Sequence, residues 1–265
     1  MVGDIVGKPG RTIALEWLPR LRSRHKADFV IVNGENAAAG IGITADIATE
    51  LLKRATVDVI TLGNHAWGKR EVYTYLDAEP RILRPANYPP GAPGRGYAVY
   101  PSLVGDVGVV SLQGRTFMDP VDDPFRMIED ILTEISARTK VIFVDFHAEA
   151  TSEKQAFAWY VDGRVSAVVG THTHIQTADE RILPRGTAYL TDVGMTGPVN
   201  SVIGMNTDVI LSRFTSLLPA RFEVADGAAQ LCGVLIDIDL ITGNATAISR
   251  IQVPTHEEMR QPSVP

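Results

Sequence analysis

Apolar runs alternate with amphipathic segments over the first two-thirds of the sequence. The runs "DFVIVN", "DVITLGN", "VIFVDF" and "SAVVG" have the length and composition of buried strands, and segments with the apolar spacing of helices separate them. A strand that pairs with a parallel neighbour needs a crossover connection, which is usually a helix. The alternation therefore predicts an α/β fold with parallel strands.

Several predicted helices carry recognisable signals at or near their ends. Residues 12–24 show helical spacing, and Pro19 predicts a break or kink within them. Thr44 is the predicted N-cap of "ADIATELLKRA", and Ser152 opens "TSEKQAFAWYV" with Gln155 at capping-box spacing. The segments "GYAVY" and "DVGVVSLQG" alternate like strands of a second, partly antiparallel sheet, and two more predicted strands follow towards the C-terminus.

The two ends of the sequence carry separate expectations. Only Met1 and Val2 precede Gly3 and Asp4, whereas a buried strand usually has about five residues. A strand that ends at Asp4 therefore lacks its beginning in this sequence or begins upstream of it. The polar segment after Thr255 is expected to fray.

Composition limits the class of protein. The chain has 265 residues, of which 45% are hydrophobic, so we expect residues 1–265 to form a single domain. No apolar run approaches the ~20 residues that cross a bilayer, no secretion signal is recognisable, and the single cysteine, Cys232, lies in an apolar segment. We therefore expect a cytoplasmic protein. The net charge of −6, without a nucleic-acid type of Lys/Arg run, argues against stable nucleic-acid binding.

Polar side chains that bind metals or transfer protons follow five successive predicted strands. They are Asp4, Glu35 with Asn36, Asn64 with His65, His147, and His172 with His174. In open α/β sheets, ligands bind at the carboxyl ends of the strands. We therefore expect these residues to converge on one crevice.

Taken alone, each of these residues also has a structural explanation. Asp4 fits a helix N-cap, Asn64 fits a left-handed turn, and His147 fits a core position. Their joint occurrence at five strand ends favours one site over five coincidences. His25 and His256 lack strand-end positions and are interpreted as surface residues.

The number of donors predicts more than one metal ion. Three imidazoles, two carboxylates and one or two amide oxygens exceed the four ligands that usually surround one zinc ion. They suit two ions about 3.5–4 Å apart that share a bridging carboxylate. Nitrogen and oxygen donors without a thiolate are compatible with Fe, Mn, Zn or Co.

The motifs "GD", "GEN", "GNH", "DFHAE" and "GTHTH" resemble those of the calcineurin-like metallophosphoesterases. The similarity is most specific to the YmdB branch and extends over essentially the whole chain. It is carried by residues 3–10, 33–36, 61–67, 145–154 and 170–179. The resemblance implies an α/β sandwich of two mixed β-sheets flanked by helices, a dinuclear metal centre, and phosphodiesterase activity on cyclic nucleotides, with 2',3'-cyclic mononucleotides as the usual substrates.

The resemblance also implies metal ligands and one general acid. The implied ligands are Asp4 and His174 for one ion, Asn64, His147 and His172 for the other, and Glu35 between the two. His65 directly follows a ligand, and its implied role is to protonate the leaving ribose oxygen.

Two departures from the wider superfamily affect the expected site. Val6 stands where the superfamily has a histidine, and Glu35 replaces a bridging aspartate, so one ion loses an imidazole whose place Asn36 can fill. The more oxygen-rich site favours Fe or Mn over Zn. Ala66 follows His65 where an acidic residue is usual, so another group must orient His65. The candidates are Asp145, Glu149 and Asp192.

Other functions stay open on the sequence alone. A phosphomonoesterase or an RNA phosphodiesterase fits the same metal core, because the core does not choose the bond that is cut. A regulatory binding module with a structural or relict metal site is a different class, and the retained His65 argues against it. We expect a small cyclic nucleotide as substrate and no membrane partner, and a homo-oligomer is compatible with the sequence.

Overall fold

The computed structural model describes residues 1–254. Two expectations therefore lie outside the described residues: the fraying of the end after Thr255, and the surface position of His256. Within residues 1–254 the helices are α1 (Gly7–His25), α2 (Ala45–Arg54), α3 (Val72–Ala78), α4 (Pro124–Ile135), α5 (Thr151–Tyr160) and α6 (Thr207–Ser216). The strands are β1 (Ile31–Asn33), β2 (Val59–Thr61), β3 (Ile82–Leu83), β4 (Tyr97–Ser102), β5 (Gly105–Gln113), β6 (Ile142–His147), β7 (Ala167–Thr171), β8 (Arg181–Ile182), β9 (Ala188–Leu190), β10 (Gly197–Pro198), β11 (Ala229–Ile238) and β12 (Ala245–Pro254).

The strands form two mixed sheets. In the first sheet, β1, β2 and β3 are parallel, and β10, β11 and β12 are antiparallel. Val2 joins these two parts, because it pairs with Val32 on one side and with Gly233 on the other. The second sheet has the order β4-β5-β6-β7-β9-β8, with a parallel centre and antiparallel strands at both edges. The alternation of the sequence correctly predicted these parallel strands.

Neighbouring residues along the central strands enter different layers, because side chains alternate across a sheet. In β6, Phe143 packs between the two sheets, whereas Val144 packs under α4 and α5. In the first sheet, Ile31 likewise faces the second sheet, whereas Val32 faces α1 and α2. Helices therefore cover the outer faces of both sheets, and the expected sandwich of four layers is confirmed. Both faces of each central strand are buried, which explains their continuous apolar runs.

The helix ends agree only partly with the sequence. Thr44 caps α2, since its side chain accepts a hydrogen bond from the Ile47 backbone N–H at 3.2 Å. The prediction for Ser152 was wrong: α5 begins one residue earlier, after Ala150, and has no side-chain cap. The side chain of Glu153, in the first turn, instead accepts hydrogen bonds from the backbone of the loop that follows β5.

Of the break or kink predicted at Pro19, the break is wrong. Helix α1 begins at Gly7 and continues through Pro19 to His25. Ile13 lies before the proline and Leu21 after it, and both are buried in the same core cluster. Burial of both halves against the first sheet offsets the roughly 3 kcal/mol that an internal proline costs a helix. His25 is exposed at the end of this helix, as expected.

None of the helices within residues 1–254 combines the length and the apolar character that crossing a membrane requires.

Candidate metal centre

The carboxyl ends of four central strands supply most of the candidate ligands. Glu35 lies two residues beyond the end of β1, and Asn64 lies three residues beyond the end of β2. His147 is the last residue of β6, and His172 directly follows β7. Strands β1 and β2 belong to the first sheet and β6 and β7 to the second, so the site forms where the edges of both sheets meet.

One group of donors surrounds the imidazole of His147. Its Nε2 lies 3.2 Å from Glu35 Oε2, 2.9 Å from Asn64 Oδ1 and 3.1 Å from His172 Nδ1. Ligand atoms of Glu35, His147 and His172 all lie within 4.8 Å of one another. Several lone pairs therefore point into the same small space, which a cation would satisfy better than a single shared proton.

A second group contains Asp4, Asn36 and His174. Asp4 is fully buried, and its Oδ1 has no hydrogen-bond partner among the described residues. Its Oδ2 accepts a hydrogen bond from the backbone N–H of His172 at 3.2 Å. The Nε2 atom of His174 accepts a hydrogen bond from the Asn36 side-chain nitrogen at 3.2 Å, and the Asn36 amide oxygen faces His65. A buried carboxylate oxygen without a donor is the observation that best fits a bound metal ion here.

The other ring nitrogen of His147 is held by a chain of buried hydrogen bonds. His147 Nδ1 donates to Thr171 Oγ1 at 2.8 Å, and this hydroxyl donates to Asp145 Oδ1 at 2.7 Å. Asp145 also accepts hydrogen bonds from Asn33 and Thr61. This chain of hydrogen bonds places the proton of a neutral His147 on Nδ1 and leaves Nε2 free to bind a metal ion.

The other two histidines are held in the same way by different groups. His172 Nε2 lies 3.0 Å from Glu149 Oε2, so its Nδ1 faces the cluster. His174 Nδ1 donates to the backbone carbonyl of Ile203 at 2.8 Å, so its Nε2 faces the cluster. All three imidazoles therefore present a lone pair inwards, which is how metal-ligating histidines are usually supported.

His65 differs from these histidines in position and in exposure. Its Nδ1 lies 2.7 Å from Asn36 Oδ1 and 3.4 Å from Glu35 Oε1, and 37% of its side chain is exposed. Asn36 therefore orients His65, and the three residues that we had expected in this role contact other groups. Asp145 contacts Thr171, Glu149 contacts His172, and Asp192 contacts Lys154.

Burial and mutual charge shift the pKa values of the cluster in opposite directions. Burial raises the pKa of Asp4 to about 6. Although burial opposes it, His147 and His65 hold the pKa of Glu35 well below its usual range. Burial likewise opposes ionisation of His147, but Glu35 and Asp4 raise its pKa to about 9. Burial and then the nearby charge of His147 lower the pKa of His172 to about 3. Without metal, a protonated His147 thus balances the anionic Glu35.

The sequence reading missed the role of Gly63 between β2 and Asn64. A Cβ atom at this position would collide with Glu35 Oε2 and with the ring of His147. Only glycine lets the chain pass so close to both side chains. The glycine of the motif "GNH" was visible in the sequence. The reason for it, the close approach of Glu35 and His147, is visible only in the folded structure.

Two mixed sheets with flanking helices, and a cluster of carboxylates, amides and imidazoles at their strand ends, define an α/β protein of the metallophosphoesterase type. The family model described as "YmdB-like protein" matches residues 1–251. The chain belongs to the YmdB-like family, so the resemblance inferred from the motifs is confirmed.

Relatives and solved structures agree with this assignment. The chain is 52% identical over 252 residues to a 2',3'-cyclic-nucleotide 2'-phosphodiesterase of Bacillus subtilis, covering 95% of each protein. A hypothetical protein from Thermus thermophilus superposes with a TM-score of 0.90 at 44% identity, covering 96% of this chain and 97% of that one. A phosphatase from Mycoplasma pneumoniae has the same TM-score at 35% identity, covering 98% of this chain and 95% of that one.

Proposed function

We propose that this protein is a metal-dependent phosphodiesterase that hydrolyses 2',3'-cyclic nucleotides to nucleoside monophosphates. The observation that carries the proposal is the convergence of Glu35, His147 and His172, with ligand atoms within 4.8 Å, beside Asp4 Oδ1, which accepts no hydrogen bond from residues 1–254. The Bacillus subtilis relative, which bears the name of this activity, supports the choice of substrate.

The two groups of donors support two metal ions. The proposed ligands are Asp4, Asn36 and His174 for one ion, Asn64, His147 and His172 for the other, and Glu35 shared between them. Glu35 suits the shared position because Oε1 lies 3.1 Å from the Asn36 amide nitrogen, whereas Oε2 lies 3.2 Å from His147 Nε2. Its two oxygens thus point to different residues of the cluster, as a shared ligand requires.

When bound, two cations would neutralise the phosphodiester and activate the water that attacks phosphorus. The chain itself supplies the proton for the departing oxygen. His65 is the proposed donor, because it is the most exposed imidazole of the cluster and its Nδ1 is already engaged by Asn36. The opposite nitrogen, Nε2, then remains for the 2' oxygen of the ribose as it leaves.

Ring strain favours the 2',3'-cyclic substrate over its isomers. A five-membered cyclic phosphate is compact and exposes its phosphorus to in-line attack. We expect 3',5'-cyclic nucleotides and phosphomonoesters to be poorer by at least about tenfold in kcat/KM, which corresponds to ~1.4 kcal/mol.

The test compares substrates under defined metal loading. Protein stripped of metal is reloaded with Mn²⁺ or with Fe²⁺ under reducing conditions, and kcat/KM is measured for 2',3'-cyclic AMP, 3',5'-cyclic AMP, p-nitrophenyl phosphate and an RNA oligomer. Preference for any of the last three refutes the substrate assignment. Two bound ions without turnover of any substrate would make a binding module the better explanation.

The metal identity and the oligomeric state of the protein are tested separately. The oxygen-rich donor set leads us to propose Fe or Mn rather than Zn or Co, and elemental analysis of the protein as purified decides between them. We also propose that residues 1–265 act as one domain in the cytoplasm, without stable nucleic-acid or membrane binding. Light scattering then reports whether the protein forms a homo-oligomer.

A further inference from the structure

A buried ion pair lies directly behind the candidate metal centre. Lys154 of α5 is 1% exposed, and Asp192, which follows β9, is fully buried. Lys154 Nζ lies 2.8 Å from Asp192 Oδ2. Taking two charges out of water is costly, and an apolar pair of similar volume is often at least as stable. Stability alone therefore does not account for the pair, and none of the roles proposed above uses it.

Asp192 holds the residue that separates two candidate ligands. Its Oδ2 accepts hydrogen bonds from the Thr173 backbone N–H at 3.0 Å and from Thr173 Oγ1 at 2.7 Å. Its Oδ1 accepts a third from the Gly194 backbone N–H at 2.8 Å. Thr173 lies between His172 and His174. The Asp192 carboxylate therefore holds the central residue of the turn that carries both imidazoles.

This turn has a backbone that needs such support. His172 has a φ angle of 94° and His174 has a φ angle of 67°. Both values lie in the left-handed region that residues other than glycine rarely adopt. Residues keep such conformations only where the surrounding structure over-determines them. The two hydrogen bonds from Thr173 to Asp192 lie between the two strained residues and provide that constraint.

Lys154 reaches Asp192 through a gap that Gly170 leaves open. A Cβ atom at Gly170 would collide with the Thr191 backbone oxygen of the neighbouring strand segment and would lie 2.9 Å from Lys154 Cδ. The glycine of "GTHTH" therefore leaves room both for the Thr191 backbone and for the lysine side chain beside β7. The ammonium group balances the buried charge of Asp192.

We propose that Lys154 and Asp192 are positioning residues that set the turn at Thr173, so that His172 and His174 face different metal ions. This inference rests on the proposed ligand roles of the two histidines. Because one turn serves both ions, loosening it weakens both binding events together. Loss of a single ligand, by contrast, acts first on one ion.

The first test removes one hydrogen bond and leaves both buried charges in place. Thr173→Val keeps the backbone hydrogen bond to Asp192 but loses the one from Oγ1, and Thr173→Ser restores it. We expect Thr173→Val to bind Mn²⁺ about 10- to 100-fold more weakly at both sites, the range typical of groups that support metal ligands, and Thr173→Ser to bind like the wild type. Calorimetry with Mn²⁺ measures both affinities, and electron paramagnetic resonance reports the coupling between two Mn²⁺ ions.

Thr187→Val is the matched control. Thr187 Oγ1 donates a buried hydrogen bond to the Val165 carbonyl at 2.7 Å, and Thr187 precedes β9, whereas Asp192 follows it. This variant should lower the melting temperature of the metal-free protein without changing the affinity for Mn²⁺. Wild-type affinity in Thr173→Val, or an equal loss in Thr187→Val, overturns the proposal.

A second variant tests the ion pair itself. Lys154→Met with Asp192→Asn removes both charges together, so that no unpaired charge is buried and the chain is expected to fold. We expect weaker Mn²⁺ binding at both sites here as well, and wild-type affinity in the folded double variant contradicts the role of the pair. Wild-type protein that binds two Mn²⁺ ions but hydrolyses no cyclic nucleotide refutes the proposed function and leaves this inference standing.

Discussion

The substitution Gly63→Ala places a methyl group inside the candidate metal centre. The added Cβ atom would overlap Glu35 Oε2 and the ring of His147, whereas ordinary van der Waals contact begins at 3.4 Å. Both side chains must therefore shift by about 1 Å, and misplacement by this amount at a catalytic site can reduce the rate about 10²-fold. The shift moves Glu35 and His147 out of the positions in which their ligand atoms face each other, so metal affinity should fall with activity.

The effect on stability should be smaller than the effect on the site. Overpacking a well-filled region costs typically about 1–3 kcal/mol, and alanine recovers about 0.4–1 kcal/mol by restricting the unfolded chain. We expect a net loss of about 1–2 kcal/mol, so the variant should remain folded at room temperature. The defect then concerns the metal centre rather than the fold.

Gly91→Ala is the control, because no atom of the part of the chain that the structure describes lies within 4 Å of a Cβ atom at Gly91. Thermal unfolding of the metal-free proteins, Mn²⁺ affinity by calorimetry, and kcat/KM for 2',3'-cyclic AMP are measured for both variants and the wild type. Gly91→Ala should resemble the wild type in all three. If Gly63→Ala also binds two Mn²⁺ ions with wild-type affinity, the close approach of Gly63 to the ligands does not matter, and the steric argument is refuted.

Three further predictions address His65, His147 and His172. His65→Ala should keep both ions and the fold while turnover falls by roughly 10²–10⁴, the usual contribution of a general acid; the loss should shrink for a substrate with p-nitrophenolate as leaving group, and loss of metal instead would make His65 a ligand. The pKa of about 9 means that His147 is protonated in metal-free protein at neutral pH, so an ion must displace that proton. Mn²⁺ affinity should therefore rise about tenfold per pH unit between about pH 7 and 9 and level off above, as calorimetry at several pH values can check; a flat profile contradicts the pKa. Glu149→Gln removes the carboxylate at His172 Nε2 and should weaken one Mn²⁺ site about tenfold, with the other site as internal reference; equal affinities in both proteins would exclude this support.

Much of the candidate site follows from the sequence because its residues occupy equivalent positions on successive strands. His147 ends β6 and His172 follows β7, and parallel neighbours bring such ends to the same edge of a sheet. The apolar runs before them reveal the strands, since both faces of each strand are covered. Periodicity and strand ends are local properties, so they can be read without the fold.

Some local predictions failed because distant packing decided the outcome. Helix α1 continues through Pro19 since buried residues on both sides of the proline pack against the first sheet. Ser152 does not cap α5, and Glu153 in its first turn bonds to the backbone at Arg115 and Thr116. In each case the deciding contact joins the helix to a segment that is distant in the sequence, so the local sequence pattern could not predict it.

By itself, the sequence determined the order of the central strands and of most helices, the position of the candidate ligands at the strand ends, and the family of the protein, but it did not reveal α6 or the short strands β3, β8 and β10. Only the tertiary structure decided which atoms of these residues face one another. The contact between Asp4 and His172 spans 168 positions, and the one between Asn33 and Asp145 spans 112. Which nitrogen of each histidine faces inwards, and which carboxylate supports it, depends on such long-range contacts. The position of a residue at a strand end can be recognised from the local sequence. Its hydrogen-bond partners come from distant segments, because they are brought together only when the two sheets pack.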